Sequence, residues 1–339
     1  VRRWGTSLFA GALPLVLLFF GCGAGGRNPG VSPNAAAAVE ADTTPPPISP
    51  ADAAPPASQT GGFDGAKAYS YVVKLVSFGP HPPDTPAIRD VQGYIRSQLK
   101  SFGCSVSVDD FHAQTPIGTL ALENIVAKIP GTGPGIILLL THYDTLRLTG
   151  FVGADDSGSS TGLMLEMARL LCSGKKNHNA VWIAFLDGEE AQLVENGQAQ
   201  WTDADSVFGS RELAARMGLS GEIKNVKAVI LADMIGQKKL HIMREANSTK
   251  WLTDLIWKTA DRLGYSDIFL NSEAEASDDH VPFIERGVPA ADIIDLQDYI
   301  QEGYWHTTQD TLDKLSPRNI AIVGHVILAS VNELQDKFR

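Results

Sequence analysis

The chain has 339 residues, 44% of them hydrophobic and 20% charged, which is enough apolar material for a large core. A net charge of −11 argues against nucleic acid or an anionic membrane surface as partner, because neither phosphate neutralisation nor surface attraction is on offer. Three cysteines, none in a C-x-x-C, exclude a disulfide-built scaffold.

Arg2 and Arg3 precede an apolar run from Leu8 to Gly21, followed by Cys22. A basic start, a short apolar run and small residues at its end read as a signal peptide over 1–22, which predicts export to a periplasmic or extracellular space. The run is shorter than the ~20 apolar residues a membrane span needs. Gly21-Cys22 is similar to a bacterial lipoprotein cleavage site, although Phe19 and Phe20 stand where that site has an aliphatic and a small residue. Contact with a membrane is therefore expected only through a lipid on Cys22, if one is added. Residues 23–62 read as a Pro/Ala-rich disordered linker, since eight of the nineteen prolines fall between 28 and 62. Acidic and basic residues balance in 1–62, so the acidic excess belongs to residues 63–339, expected as one catalytic domain.

Within that domain, helical spacing covers Ala66–Phe78 and Ile88–Phe102, separated by the Gly79-Pro80-His81-Pro82-Pro83 breaker. Val106–Phe111 and Asn124–Ile129 read as a hairpin-like strand pair. Ile136–Thr141, Ala180–Leu186, Ala228–Ala232 and Ala290–Ile294 are apolar runs of the kind buried on both faces of a parallel sheet. Helical patterns fill the gaps at Ser159–Leu171, Ser210–Met217, Lys250–Leu263 and Asn319–Leu334. The alternation predicts an α/β three-layer sandwich with a mixed, largely parallel central sheet flanked by helices.

Each of three apolar runs delivers polar chemistry at its end: His142-Tyr143-Asp144, Asp187-Gly188-Glu189-Glu190 and Asp233. In open parallel sheets that edge is where ligands bind. Asp156, just before a helix, would join Glu190 and His306 as two carboxylates and one imidazole, leaving a tetrahedral zinc one open position. Taken singly, Asp156 reads more simply as a helix N-cap. His142 and Asp233, with Asp156 as bridge, would form a second metal site; alternatively His142 and Asp144 only support the first by hydrogen bonding.

These segments resemble the glutaminyl cyclase branch of the zinc aminopeptidase superfamily, and the resemblance spans about Ala66 to Leu334. His-x-Asp, Gly-Ala-x-Asp-Ser, the Glu-Glu pair and the late His-Thr are shared by both branches. Glu189-Glu190-Ala191 after Asp187-Gly188, the run Asp205–Arg211, Asp278-Asp279-His280-Val281-Pro282-Phe283 and Trp305 before His306 point to the cyclases. The resemblance implies one zinc on Asp156, Glu190 and His306, with Glu189 as general acid/base, hydrogen-bonded with Asp233 and Asp278. It further implies that Trp305 helps hold the substrate's side-chain carbonyl and that Trp201 walls the pocket. The implied substrates are peptides or proteins with N-terminal Gln, closed to pyroglutamate with loss of ammonia. Two departures concern pocket shape: a long loop between Glu190 and Trp201, and Asp292 where animal enzymes carry His. In the alternative aminopeptidase reading, two zinc ions bind and Glu189 activates water for hydrolysis of N-terminal residues.

Other motifs carry less. Gly158-Ser159-Ser160-Thr161-Gly162 fits a nucleophile elbow, but loop-like residues stand where that turn needs a strand. Gly131–Gly135 is a turn, and Asn247-Ser248-Thr249 an incidental sequon. Cys104 and Cys172 read equally well as a pair or as two buried thiols. A body that binds a partner without catalysis would lack ligands or base, and here all are retained.

Overall fold

The computed structural model describes residues 45–174, 177–202 and 204–339. The signal segment 1–22, Cys22 and linker residues 23–44 lie outside the described residues.

The elements follow in chain order: α1 (Gly65–Val76), α2 (Pro86–Ser101), β1 (Ser105–Thr115), β2 (Gly118–Ile129), β3 (Ile136–His142), α3 (Gly158–Ser173) and β4 (Ala180–Leu186). Next come the short strands β5 (Val194–Glu195) and β6 (Gln198–Ala199), α4 (Phe208–Ser220), β7 (Val226–Asp233), β8 (Ile242–Glu245) and α5 (Lys250–Arg262). The chain ends with β9 (Phe269–Ala274), α6 (Val281–Ile284), β10 (Ala290–Ile294), α7 (Leu296–Gln301) and α8 (Pro317–Lys337). Helix starts obey local chemistry. Asp64, Thr85 and Ser316 accept from the amides of Lys67, Ile88 and Asn319, and proline opens both α2 and α8.

Six strands form the main sheet in the order β1-β2-β4-β3-β7-β10. β4, β3, β7 and β10 run parallel, while β2 is antiparallel to both of its neighbours. This is the expected mixed, largely parallel sheet. Along β3 the side chains alternate between two cores: Ile137 and Leu139 pack with α1, α2, α3, α5 and α8, whereas Ile136, Leu138 and Leu140 pack with α4 and α6. Each such buried leucine or isoleucine stabilises the fold by roughly 1.5–3 kcal/mol. The layers are thus helix, sheet, helix.

The structure extends the sequence reading in four places. The β1–β2 hairpin is longer than its apolar core, pairing out to Thr115 and Gly118. A separate parallel pair, β8–β9, and the six-residue α7 are not visible as periodic patterns. Cys104, just after α2, is joined by a disulfide to Cys172 in the last turn of α3. Part of the proline-rich stretch lies against α8, where the Asp52 carbonyl accepts from the Arg318 amide at 2.9 Å. Phe63, fully buried, sits over Gly324 of α8, where a Cβ would lie 2.4 Å from its ring. No helix among the described residues is long and apolar enough to cross a membrane.

Candidate active site and metal centre

β3 ends in His142, whose ring is completely buried among carboxylates. Its Nε2 lies 3.1 Å from Asp233 Oδ1 and 3.3 Å from Asp156 Oδ1, and its Nδ1 lies 3.5 Å from Asp144 Oδ1. Asp156 does not cap α3; Ser157 holds the cap position, and its side chain makes no capping bond. What fixes the Asp156 loop is Asp310, whose two oxygens accept from the amides of Asp155 (2.8 Å) and Asp156 (3.1 Å). On its far side the loop is tied by Asp155 Oδ1, which accepts from the Gly236 amide at 2.7 Å.

The loop after β4 carries Glu189 and Glu190. Gly188 opens it with φ 75°, and a side chain there would lie 2.3 Å from Leu122, so the turn requires glycine. Asp144 accepts from both following amides, Glu189 at 3.1 Å and Glu190 at 3.3 Å. The Glu189 carbonyl in turn accepts from the Val207 amide at 2.9 Å. Val207 holds a left-handed φ of 47°, which for a β-branched residue costs on the order of 1–3 kcal/mol. The strain is held by the amides of Val207 and Phe208, which donate to the carbonyls of Glu189 and Gly188 and so fix the entry to α4 against the Glu189 loop.

Glu190 is buried with neither carboxylate oxygen hydrogen-bonded, and its Oε2 lies 3.3 Å from His306 Nε2. The same His306 nitrogen lies 3.5 Å from Asp156 Oδ2. His306 adopts a left-handed φ of 52°, stacks on Trp305 with centroids 4.2 Å apart and meets Phe151 edge-on. Two sets of donor atoms therefore converge, each within 4.8 Å: Asp156–Glu190–His306 and His142–Asp156–Asp233. Two carboxylates and one imidazole, with the Glu190 oxygens unpartnered, fit zinc with a position to spare.

In front of these groups opens a cleft of about 310 Å³. Glu189, Asp233 and Asp278 face it together, and Trp201, Met234 and Trp305 supply apolar walls. Burial pushes the Glu189 carboxyl well above its usual range; His142 opposes the rise, and the charges of Asp278 and Glu190 add to it. Burial likewise raises Asp233 to about 8 and Asp278 above its ordinary value. Carboxylates so crowded share protons rather than ionising independently. His306 is raised to about 9, because Glu190 and Asp156 outweigh the opposing effect of its burial.

All ten singled-out residues lie at this edge, although Asp144 belongs to neither donor set and instead holds two backbone amides. Asp310 and Met234 have no counterpart in the sequence reading. Asp310 follows His306 by only four residues, a proximity that is the sole local signal of its role. Ser160, by contrast, is buried within α3 and donates to the Ser157 carbonyl, with a loop before it, so it forms no nucleophile elbow.

The sequence matches the profile of peptidase family M28 over residues 124–331, and the chain belongs to that family. A glutaminyl-peptide cyclotransferase-like protein of Bos taurus is 31% identical over 284 residues, covering 74% of this chain and 71% of the relative. The crystal structure of an Acidobacteriales bacterium glutaminyl cyclase superposes with TM-score 0.74 at 36% identity, covering 81% of this chain and 96% of that one. A Zn-dependent exopeptidase from Parabacteroides distasonis also superposes, with TM-score 0.73 at 27% identity over 79% of this chain and 98% of that one. Within family M28 the chain falls in the glutaminyl cyclase branch.

Proposed function

We propose that this protein is a zinc-dependent glutaminyl-peptide cyclotransferase, which converts the N-terminal Gln of peptides or proteins to pyroglutamate and releases ammonia. Glu189, a buried carboxylate facing the cleft beside the Asp156–Glu190–His306 set, would serve either branch as acid/base. The observation that carries the cyclase reading is the likeness over most of the chain to glutaminyl-peptide cyclotransferases, with Trp305 stacked on His306 at the cleft.

In this reading Asp156, Glu190 and His306 hold one zinc. When bound, zinc polarises the γ-carbonyl of the substrate Gln and stabilises negative charge on its oxygen. Glu189 accepts a proton from the substrate's α-amine as nitrogen bonds to the γ-carbon. It returns that proton to the departing amide nitrogen as the carbon–nitrogen bond breaks, so one carboxylate serves both steps and NH3 leaves. Asp233 and Asp278 keep the shared proton close to Glu189. Trp305 and Trp201 flank the Gln side chain and exclude water, which would otherwise compete with ring closure. Asp144 holds the Glu189–Glu190 backbone in register.

Export to an oxidising compartment, with residues 1–22 as signal and 23–62 as a linker whose later part packs onto the catalytic domain 63–339, is supported by the Cys104–Cys172 disulfide. Attachment of a lipid at Cys22 belongs to the same proposal.

One observation favours a second reading. His142, Asp156 and Asp233 bring their donor atoms within 4.8 Å, so a second zinc and aminopeptidase hydrolysis are chemically available. The test compares ammonia release from an N-terminal Gln peptide with hydrolysis of an N-terminal Leu peptide, alongside metal counting. Pyroglutamate formation with one zinc per chain is the expected result. Leu hydrolysis with two zincs and no pyroglutamate would sink the cyclase assignment.

A further inference from the structure

Behind the cleft lies a buried polar group that the proposed chemistry does not use. Glu245, the last residue of β8, is 4% exposed. Its Oε1 accepts from the Asn247 amide (2.9 Å), the Asn247 side-chain nitrogen (3.0 Å) and the Ala276 amide (3.3 Å). Its Oε2 accepts from Ser248 Oγ at 2.8 Å and lies 3.0 Å from His280 Nε2. Ala276 stands two residues before Asp278, and His280 two residues after it. A single carboxylate thus holds both flanks of Asp278.

The arrangement is anchored from behind. His280 is fully buried, and its Nδ1 lies 3.9 Å from Asp292 Oδ2 on β10. Neither Asp292 oxygen is hydrogen-bonded. Ser248 Oγ also accepts from the Asp292 amide at 3.0 Å, so the group is joined to the edge strand of the main sheet.

We infer that Glu245 and His280 are positioning residues that clamp the 275–280 loop so that Asp278 is held towards Glu189; the inference rests on the proposed role of Asp278. The physical need is plain. The loop pairs with no strand between β9 and α6, and its Glu275 and Ser277 are exposed. Asp278 meanwhile faces Glu189 and Asp233, carboxylates that repel it unless protons are shared. An unfastened loop would relax away from them, and a displacement of about 1 Å costs on the order of 10²-fold in rate.

The test is a double-mutant cycle on the full-length zinc enzyme, read as kcat and KM with an N-terminal Gln peptide. Glu245→Gln keeps the side-chain size and removes the charge. It should lower kcat by about tenfold or more, within the range a misplaced group produces, while KM and zinc content stay unchanged. In the Asp278→Asn background the same substitution should add less than about twofold, because the clamp acts only through Asp278. Amide exchange gives a second readout independent of turnover: residues 274–281 should exchange faster in Glu245→Gln while β7 is unaltered. An unchanged kcat in Glu245→Gln, an equal loss in both backgrounds, or unaltered exchange over 274–281 overturns the clamp. Asp278→Asn turning over like the parent would instead remove the role of Asp278, and the clamp with it.

Discussion

The strands of the main sheet behave as two materials. From Ile136 to Leu140, β3 is apolar and inaccessible, and it needs no partner beyond close packing. Two residues later His142 is just as inaccessible yet lies among Asp144, Asp156, Asp233 and Glu189. Burial stabilises the first stretch and penalises the second, where Asp278 and Asp292 each keep at least one oxygen without a hydrogen bond and the Glu190 oxygens are left for a cation. Stability in this molecule resides in the sheet interior, while its carboxyl edge is sustained against its own electrostatics. That is the arrangement expected when an edge serves chemistry rather than folding.

Substitutions can break this contrast. The largest effect belongs to the edge: Glu189→Gln should reduce ammonia release by roughly 10²–10⁴-fold, the range for loss of a general acid/base. Zinc content and thermal midpoint should hold, and zinc loss in that variant would mean that Glu189 rather than Glu190 is a ligand. The next effect is remote from the site. Replacing Cys104 and Cys172 by serine opens a link spanning 68 residues. The chain-entropy relation gives a loss of about 4 kcal/mol, read by denaturant unfolding under non-reducing conditions. Leu139→Ala, in the sheet interior, should cost about 2–5 kcal/mol while kcat per folded molecule is unchanged. A fall in kcat at constant folded fraction would show that interior and edge are not separable.

The smallest effect concerns pH. Asp295, which caps α7, is raised to about 7 by burial, against the lowering effect of the His241 and Asp298 amides it accepts from. With an unfolded pKa of ~3.9, the folded chain binds more protons than the unfolded one between those values. Its contribution to stability is therefore greatest at the acid end and lost as pH rises towards 7. Asp295→Asn should flatten the stability–pH curve over that window; an identical slope would show that the carboxyl does not titrate there.

What was legible in the sequence follows the same division. Ala180–Leu186 and Ala290–Ile294 are found to the residue, because strands buried on both faces leave uninterrupted apolar runs. The outer β1–β2 hairpin fades from view at Gln114 and Thr119, where both faces meet water. β9 hides for a similar reason, with Asn271-Ser272-Glu273 exposed along its length. The candidate ligands stand out because they terminate apolar runs or sit in short motifs. Asp310 and Glu245 do not, since accepting backbone amides from a distant loop leaves no periodic mark on the local sequence. A trio of buried carboxylates, Asp144, Asp310 and Glu245, does for the three site loops what ladder hydrogen bonds do for strands.

The positions of Asp156, Glu190 and His306 along the chain have a consequence for how activity appears in time. The three converge only when β3, β4 and the segment beyond β10 have all taken their places, across a span of about half the length of the domain. Non-local closure of this kind is slow relative to local helix formation. A partial fold that lacks any one of these segments leaves the candidate ligands apart. Recovery of turnover during refolding therefore times the last act of assembly rather than the first collapse.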